Sequence, residues 1–234
     1  MSPNQATFGA FNQGATPTIA CFNKAKTPLG VDLDKLIAAM QEYVNKHVAP
    51  VWGTPAKLVK STNFIKNAWA VVFMDDADDP DALAYHDLTP AGLPLSKVFV
   101  RTTIENLDLV SVSASHELVE MLVDPAINLM TTGPNPKLVY AYETADPVED
   151  LTFKIHGIPM SDFVYPSYFE EFHKSRSVPF DHLNKIKKPF EILSSFGGSH
   201  PTHKTRSIFV RKLGMKLTGF SRNSLRDHAC VFID

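Results

Sequence analysis

The chain has 234 residues, 44% of them hydrophobic, and a formal net charge of −2. That length suits one large domain, or one domain with an appendage, and the near-neutral balance gives no global pointer to nucleic acid or an anionic membrane. No apolar run approaches the roughly eighteen residues that a membrane span needs, and Met1 to Gly14 lacks a basic region followed by an apolar stretch, so neither a span nor a secretory signal is expected and a cytoplasmic location is the default.

Residues 1–29 are rich in Asn, Gln, Thr, Gly and Pro and read as an arm or a loosely docked strand. Residues 31–48 place Leu33, Leu36, Ile37, Met40, Tyr43, Val44 and Val48 at helical spacing, with Pro50 as the expected stop. Trp69 to Met74 is a continuous apolar run, as in a buried strand. Asp75, Asp76, Asp78, Asp79 and Asp81 follow, and they lack the Gly and terminal Glu of a calcium loop, so a solvated acidic turn is preferred. Lys97 to Thr103 predicts another strand, and its part Val98 to Thr102 is the candidate sheet edge, able to accept a peptide as an added strand. The two cysteines, Cys21 and Cys230, are too few for a disulfide framework, and reduced thiols are the default over a Cys21–Cys230 bridge.

Residues 109–123 predict a helix that carries the most specific pattern of the chain, His116-Glu117-x-x-Glu120. Side chains four apart on a helix lie one above the other, so His116 and Glu120 offer a nitrogen and an oxygen to one ion. Glu117 lies about 100° further round, in position to take a proton from water activated there. Ser113 and Asp124 extend the same stripe, while Leu118, Val119, Met121 and Leu122 supply an apolar back. Small residues Ser111, Ser113, Ala114 and Ser115 allow close packing against a strand, and Asp124-Pro125 stops the helix. A solvated acidic face is the competing explanation; the pairing of His with two Glu at this spacing favours a metal.

Leu138 to Tyr142 predicts a short strand. Residues 151–190 hold Phe153, His156, Phe163, Tyr165, Tyr168, Phe169, Phe172 and Phe180, as expected of an aromatic wall below a cleft, with Tyr165 read as a core tyrosine ahead of an electrophilic hydroxyl. After Phe196-Gly197-Gly198, residues 200–234 turn basic, and Ser207 to Val210 and Met215 to Phe220 predict a hairpin turning at Gly214. Few aromatics interleave those charges, so an oligomer contact or capping hairpin is preferred over nucleic-acid binding. His200 and His203 are expected to be exposed.

The string Ser115-His116-Glu117-x-x-Glu120 with Asp124-Pro125 resembles the zincin-like metallopeptidase family of bacteria and phages, whose helix reads S-H-E-x-x-E-x-x-x-D-P and which often carries E-x-x-D further on, here Glu143-Thr144-Ala145-Asp146. Pro50-Val51-Trp52-Gly53, Tyr85-His86, and Gly92-Leu93-Pro94 before Lys97–Val100 fall in a similar order. The similarity spans roughly residues 30–170. It implies an α/β (α+β) zincin-like domain with a mixed sheet, an active-site helix and, beyond the resemblance, a C-terminal β-hairpin extension. The implied organisation is an arm over 1–29, a metal-binding domain over 30–194 and a basic extension over 195–234.

The resemblance also implies Zn²⁺ held by His116, Glu120 and a third ligand, Glu143, with Asp124 and Asp146 as alternatives, and Glu117 as the catalytic base. Asp146 then becomes a candidate to orient His116, and His86 an outside candidate for a ligand or for transition-state stabilisation. A carboxylate in place of the second histidine makes the site harder and less selective for zinc. The expected activity is a metallopeptidase-like hydrolase, weak or specialised, acting on a peptide or protein. The alternative is a structural protein of a bacteriophage particle that keeps the fold and assembles, with itself or with virion partners, through its two ends.

Overall fold

The computed structural model describes residues 16–78, 82–135, 138–193 and, for the backbone, 210–212. Its centre is a five-stranded mixed sheet in the order β2-β1-β3-β5-β4, built from β1 (Thr18–Asn23), β2 (Lys57–Lys60), β3 (Trp69–Met74), β4 (Ala84–Leu88) and β5 (Pro94–Phe99). β1, β2, β3 and β5 are parallel, and β4 closes one side antiparallel to β5. The chain is therefore α+β with a mixed sheet, as its sequence led us to expect. No helix among the described residues is long and apolar enough to cross a membrane.

The central strands explain their own composition. Ile19, Ala20, Cys21 and Phe22 of β1 are all buried, as are Ala70, Val71, Val72 and Phe73 of β3. Strands covered on both faces need no polar alternation, which is why these runs are continuous. β1 corrects the boundary drawn at residue 29: residues 18–23 form an interior strand, paired on both sides, inside the stretch read as an arm or a loosely docked strand. Burial pushes the Cys21 thiol up to about 12; Cys230 lies outside the described residues.

The first helix, α1 (Leu33–Glu42), begins at Asp32, whose carboxylate accepts the Lys35 N–H at 3.0 Å. Leu36, Ile37, Ala39 and Met40 face the core. The helical path does not end before Pro50. It widens into a π turn over Tyr43–Val48 and continues as α2 (Ala49–Trp52), with Pro50 in its first turn. A proline lacks only the N–H that a first turn leaves unused, so it is tolerated there. Gly53, at φ +70°, is the actual stop. The extension places Trp52 so that its indole N–H donates to the Val164 carbonyl at 3.0 Å.

β5 ends at Phe99, where the chain turns into α3 (Val100–Glu105). The segment Val98–Thr102 is therefore not the sheet edge. β5 lies between β3 and β4, and β4 is the edge on that side. The acidic turn behaves as expected for Asp75, Asp76 and Asp78: Asp75 accepts the Lys26 and Thr27 N–H groups, Asp76 pairs with Arg101, and Asp78 with Lys97 and Tyr85. Asp79 and Asp81 lie outside the described residues.

Helix α4 (Val110–Val123) packs against β4, β5 and the hairpin of β8 (Thr152–Ile155) and β9 (Ile158–Ser161). The small residues at its start permit that approach. Ala114 is fully buried, and the Ser115 hydroxyl accepts the Ser161 N–H at 2.8 Å while donating to the Val112 carbonyl. The β8–β9 turn, His156 at φ +50° and Gly157 at φ +80°, has the two left-handed residues that a tight hairpin requires. The Tyr43 hydroxyl donates to the Ser161 carbonyl at 3.0 Å, so the π turn after α1, α4 and β9 meet at one residue.

A second core of Val148, Val164, Tyr168, Phe169, Phe180, Ile186 and Phe190 accounts for many of the aromatics of 151–190. Tyr142 stacks on Phe169 at 4.1 Å, whereas Phe172 is 76% exposed. Tyr165 is half-buried, with its hydroxyl 3.0 Å from His182 Nδ1, and belongs to the packing of this wall. A small sheet in the order β10-β7-β6 joins β6 (Met130–Thr132), β7 (Leu138–Ala141) and β10 (Val210–Lys212). One strand of the basic C-terminal segment thus pairs with β7 of the main domain. The remainder of the expected hairpin, including Gly214 and Met215–Phe220, lies outside the described residues, as do His200 and His203.

Two fully buried aspartates tie this wall to β9. Asp162 accepts the Phe163 and Leu183 N–H groups, and Asp181 accepts those of Lys185 and Ile186. Burial, reinforced by the Asp181 charge, pushes Asp162 up to about 8. A raised carboxyl contributes stability that is complete below its ordinary pKa of about 3.9 and is lost as pH climbs through the folded value. Asp162→Asn keeps an acceptor for both N–H groups and presents a permanent donor to Asp181. Its melting temperature relative to the wild type is expected to rise steadily between about pH 5 and about pH 9. A constant difference across that range in thermal melts counts against a proton held by this pair.

Candidate metal centre

The centre is assembled from three pieces that are distant in sequence: the polar stripe of α4, the edge strand β4, and the loop after β7. Alternation along β4 sends Tyr85 to one face, where its hydroxyl bonds to Asp78, and His86 to the other, toward α4. The loop 143–146 folds onto α4, where the Ala145 N–H donates to Glu120 Oε1 at 3.2 Å. None of the side chains of His86, His116, Glu117, Glu120, Glu143 and Asp146 is more than 10% exposed. The expected alternative, a solvated acidic face, is therefore not what α4 presents.

His116 Nε2 stands 3.3 Å from Glu120 Oε1 and 3.2 Å from Asp146 Oδ1. Bonds of about 2.0–2.2 Å in a tetrahedral zinc site separate neighbouring ligand atoms by about 3.3 Å. These three residues therefore fit the donor set of one divalent ion. His86, Glu120 and Glu143 form a second group, and within each group the ligand atoms lie within 4.8 Å of one another. The structure thus has buried His, Glu and Asp groups positioned to hold a metal. Asp146, the alternative, occupies the place beside His116 expected of Glu143, while Glu143 Oε2 lies 4.0 Å from His86 Nε2. Asp124 joins neither group. It ends α4 and accepts the Asn128 and Leu129 N–H groups at 3.0 and 2.9 Å.

Glu117 Oε2 is 3.2 Å from His86 Nδ1, and Glu120 Oε2 is 3.7 Å from the same nitrogen. His86 is the residue whose importance the sequence understated. Its signal was only a histidine in a short alternating segment, and nothing local tied it to residue 117.

The electrostatics follow from burying so many carboxylates together. Burial disfavours a charged imidazole, yet Glu120, Asp146 and Glu117 outweigh it and hold His116 well above its usual range. Burial also opposes ionisation of Glu120, but His116 and His86 draw it down to about 2. Burial and the Glu120 charge push Asp146 up to about 7, against the pull of His116. A proton on His116 holds the negative charge together here, in a position where a cation is equally suited.

A cleft of about 220 Å³ opens beside His116. Leu83, Leu107, Leu109 and Val112 line it with apolar surface, and Asp108 and Asp150 add negative charge. Leu107 and Leu109 are 76% and 53% exposed, well above what a core leucine shows.

Comparison with protein-family models, with curated proteins and with solved structures finds no match. The class that fold and site define is an α+β protein with a buried histidine–carboxylate centre suited to a divalent ion.

The two aspartates separate by experiment. Asp146→Asn is expected to weaken zinc binding at least about tenfold in calorimetric titration. Asp124→Asn is expected to leave the affinity unchanged and to cost on the order of 1 kcal/mol in denaturant unfolding. The reverse pattern would move the third ligand to the helix end.

Proposed function

We propose that this protein is a zinc-dependent, metallopeptidase-like hydrolase. The observation that carries the reading is the approach of Glu120 and Asp146 to within 3.3 Å of His116 Nε2, with Glu117 one residue along the same helix and a cleft opening on His116. A zinc ion held there supplies Lewis acidity, polarising a carbonyl and acidifying a water. Glu117 accepts the proton from the attacking water and returns it to the leaving amine. His86, at 3.2 Å, holds the Glu117 carboxylate in place for that transfer. Glu120 and Asp146 give the site more negative charge than imidazoles would, which restrains the acidity available and favours a slow or specialised enzyme.

The surroundings support a peptide substrate. Among the described residues β4 is the sheet edge nearest α4, and it offers an extended segment a strand to pair with. The leucine-lined, acidic cleft suits an apolar or basic side chain. The reading also rests on the fold class, a mixed sheet with a ligand-bearing helix packed on it.

The test is Glu117→Gln in the full chain. It is expected to keep its zinc and to lose hydrolysis of a mixed peptide library by about 10²-fold or more. Zinc-loaded wild type that cleaves nothing, or a variant as active as the wild type, rejects the reading.

A further inference from the structure

We infer that the centre binds two divalent ions, bridged by the Glu120 carboxylate. The inference rests on the hydrolase reading for its first ion, at His116, Glu120 and Asp146, and adds a second at His86, Glu120 and Glu143.

Three observations carry it. The two oxygens of Glu120 face different histidines: Oε1 is 3.3 Å from His116 Nε2, and Oε2 is 3.7 Å from His86 Nδ1. A carboxylate whose oxygens serve separate nitrogens on separate elements is arranged as a bridge. Next, the second group has the same make-up as the first, one imidazole and one carboxylate besides Glu120, with the ligand atoms of each group within 4.8 Å of one another. It is the looser of the two, with Glu143 Oε2 4.0 Å from His86 Nε2.

The third observation is charge. The centre buries four carboxylates, Glu117, Glu120, Glu143 and Asp146, with two imidazoles, His86 and His116, and none of these side chains is more than 10% exposed. Ionised carboxylates away from water are costly unless matched by positive charge. A second divalent ion brings further positive charge to the place where these carboxylates crowd.

The second group also gives His86 a double task. His86 turns Nδ1 to Glu117 at 3.2 Å and Nε2 toward Glu143 at 4.0 Å, so both ring nitrogens face carboxylates of the centre. Two adjacent ions clamping both oxygens of a reacting group is a recurrent hydrolytic design.

The test is metal stoichiometry, which does not depend on activity. The full chain is stripped, reloaded with Zn²⁺ and analysed by mass spectrometry, with circular dichroism to check folding. Wild type is expected to retain about two equivalents, Glu143→Gln and Asp146→Asn about one each, and Glu120→Gln less than one. Glu143→Gln, a polar isostere, tests the second site if His86 variants fail to fold. Loading with Mn²⁺ gives an independent readout: an exchange-coupled electron paramagnetic resonance spectrum in wild type and an isolated-ion spectrum in Glu143→Gln. Wild type that saturates at one equivalent, lost in His116→Ala, overturns the second ion and leaves the hydrolase reading standing. Two equivalents that survive in both Glu143→Gln and Asp146→Asn place the ions elsewhere and overturn it. Wild type that takes up no metal overturns both readings.

Discussion

Repulsion among Glu117, Glu120, Glu143 and Asp146, held nearly out of water beside His86 and His116, is the constraint to which this end of the molecule is built. Each carboxylate there needs a positive partner or an N–H donor, because an unmatched buried charge costs several kcal/mol or more. The solution combines His116 between Glu120 and Asp146, His86 against Glu117 and Glu120, and the Ala145 N–H on Glu120. Histidine serves well in this role, since its imidazole carries a proton in one state and a metal in another.

Holding that cluster rigid falls to the apolar scaffold. Leu118, Val119, Met121 and Leu122 anchor the back of α4, all nearly inaccessible to solvent. Ser115 pins the same helix to β9, and Tyr43 pins the π turn after α1 to the Ser161 carbonyl. A ligand side chain on a helix locked in this way keeps its geometry without help from the ion, as a preorganised site requires. The small residues of α4 matter as much as its ligands, because Ala114 and Ser115 allow β9 to approach.

Some local readings from sequence failed for an identifiable reason. Pro50 is a helix breaker in an interior turn but is tolerated in the first turn of α2, and the π turn before it produces that second start. Thr18–Asn23 sits in the middle of the sheet, paired with β2 and β3, although its short apolar run Ile19–Phe22 lies within a polar, Pro-containing stretch that masked it. Val98–Thr102 has β-branched residues at Val98, Val100 and Thr102, but helix α3 takes over at Val100. β-propensity describes a fit to a pleated surface and does not decide where the sheet ends.

The sequence by itself determined what is local: the apolar run of β3, the span of α4, and the placement of His116, Glu117 and Glu120 on one face of it. Helical periodicity relates residues three and four apart without reference to the rest of the chain, so those ligands were legible. It also marked 143–146 as a source of further ligands, though not which one. Only the tertiary structure decided that Asp146 stands at His116, that Glu143 stands at His86, and that Asp124 is spent on ending the helix. Those outcomes depend on how a parallel sheet, its antiparallel edge and a loop more than twenty residues downstream pack onto α4. Long-range packing of that kind is set by the volume and burial of the whole core, and no short spacing in the chain encodes it.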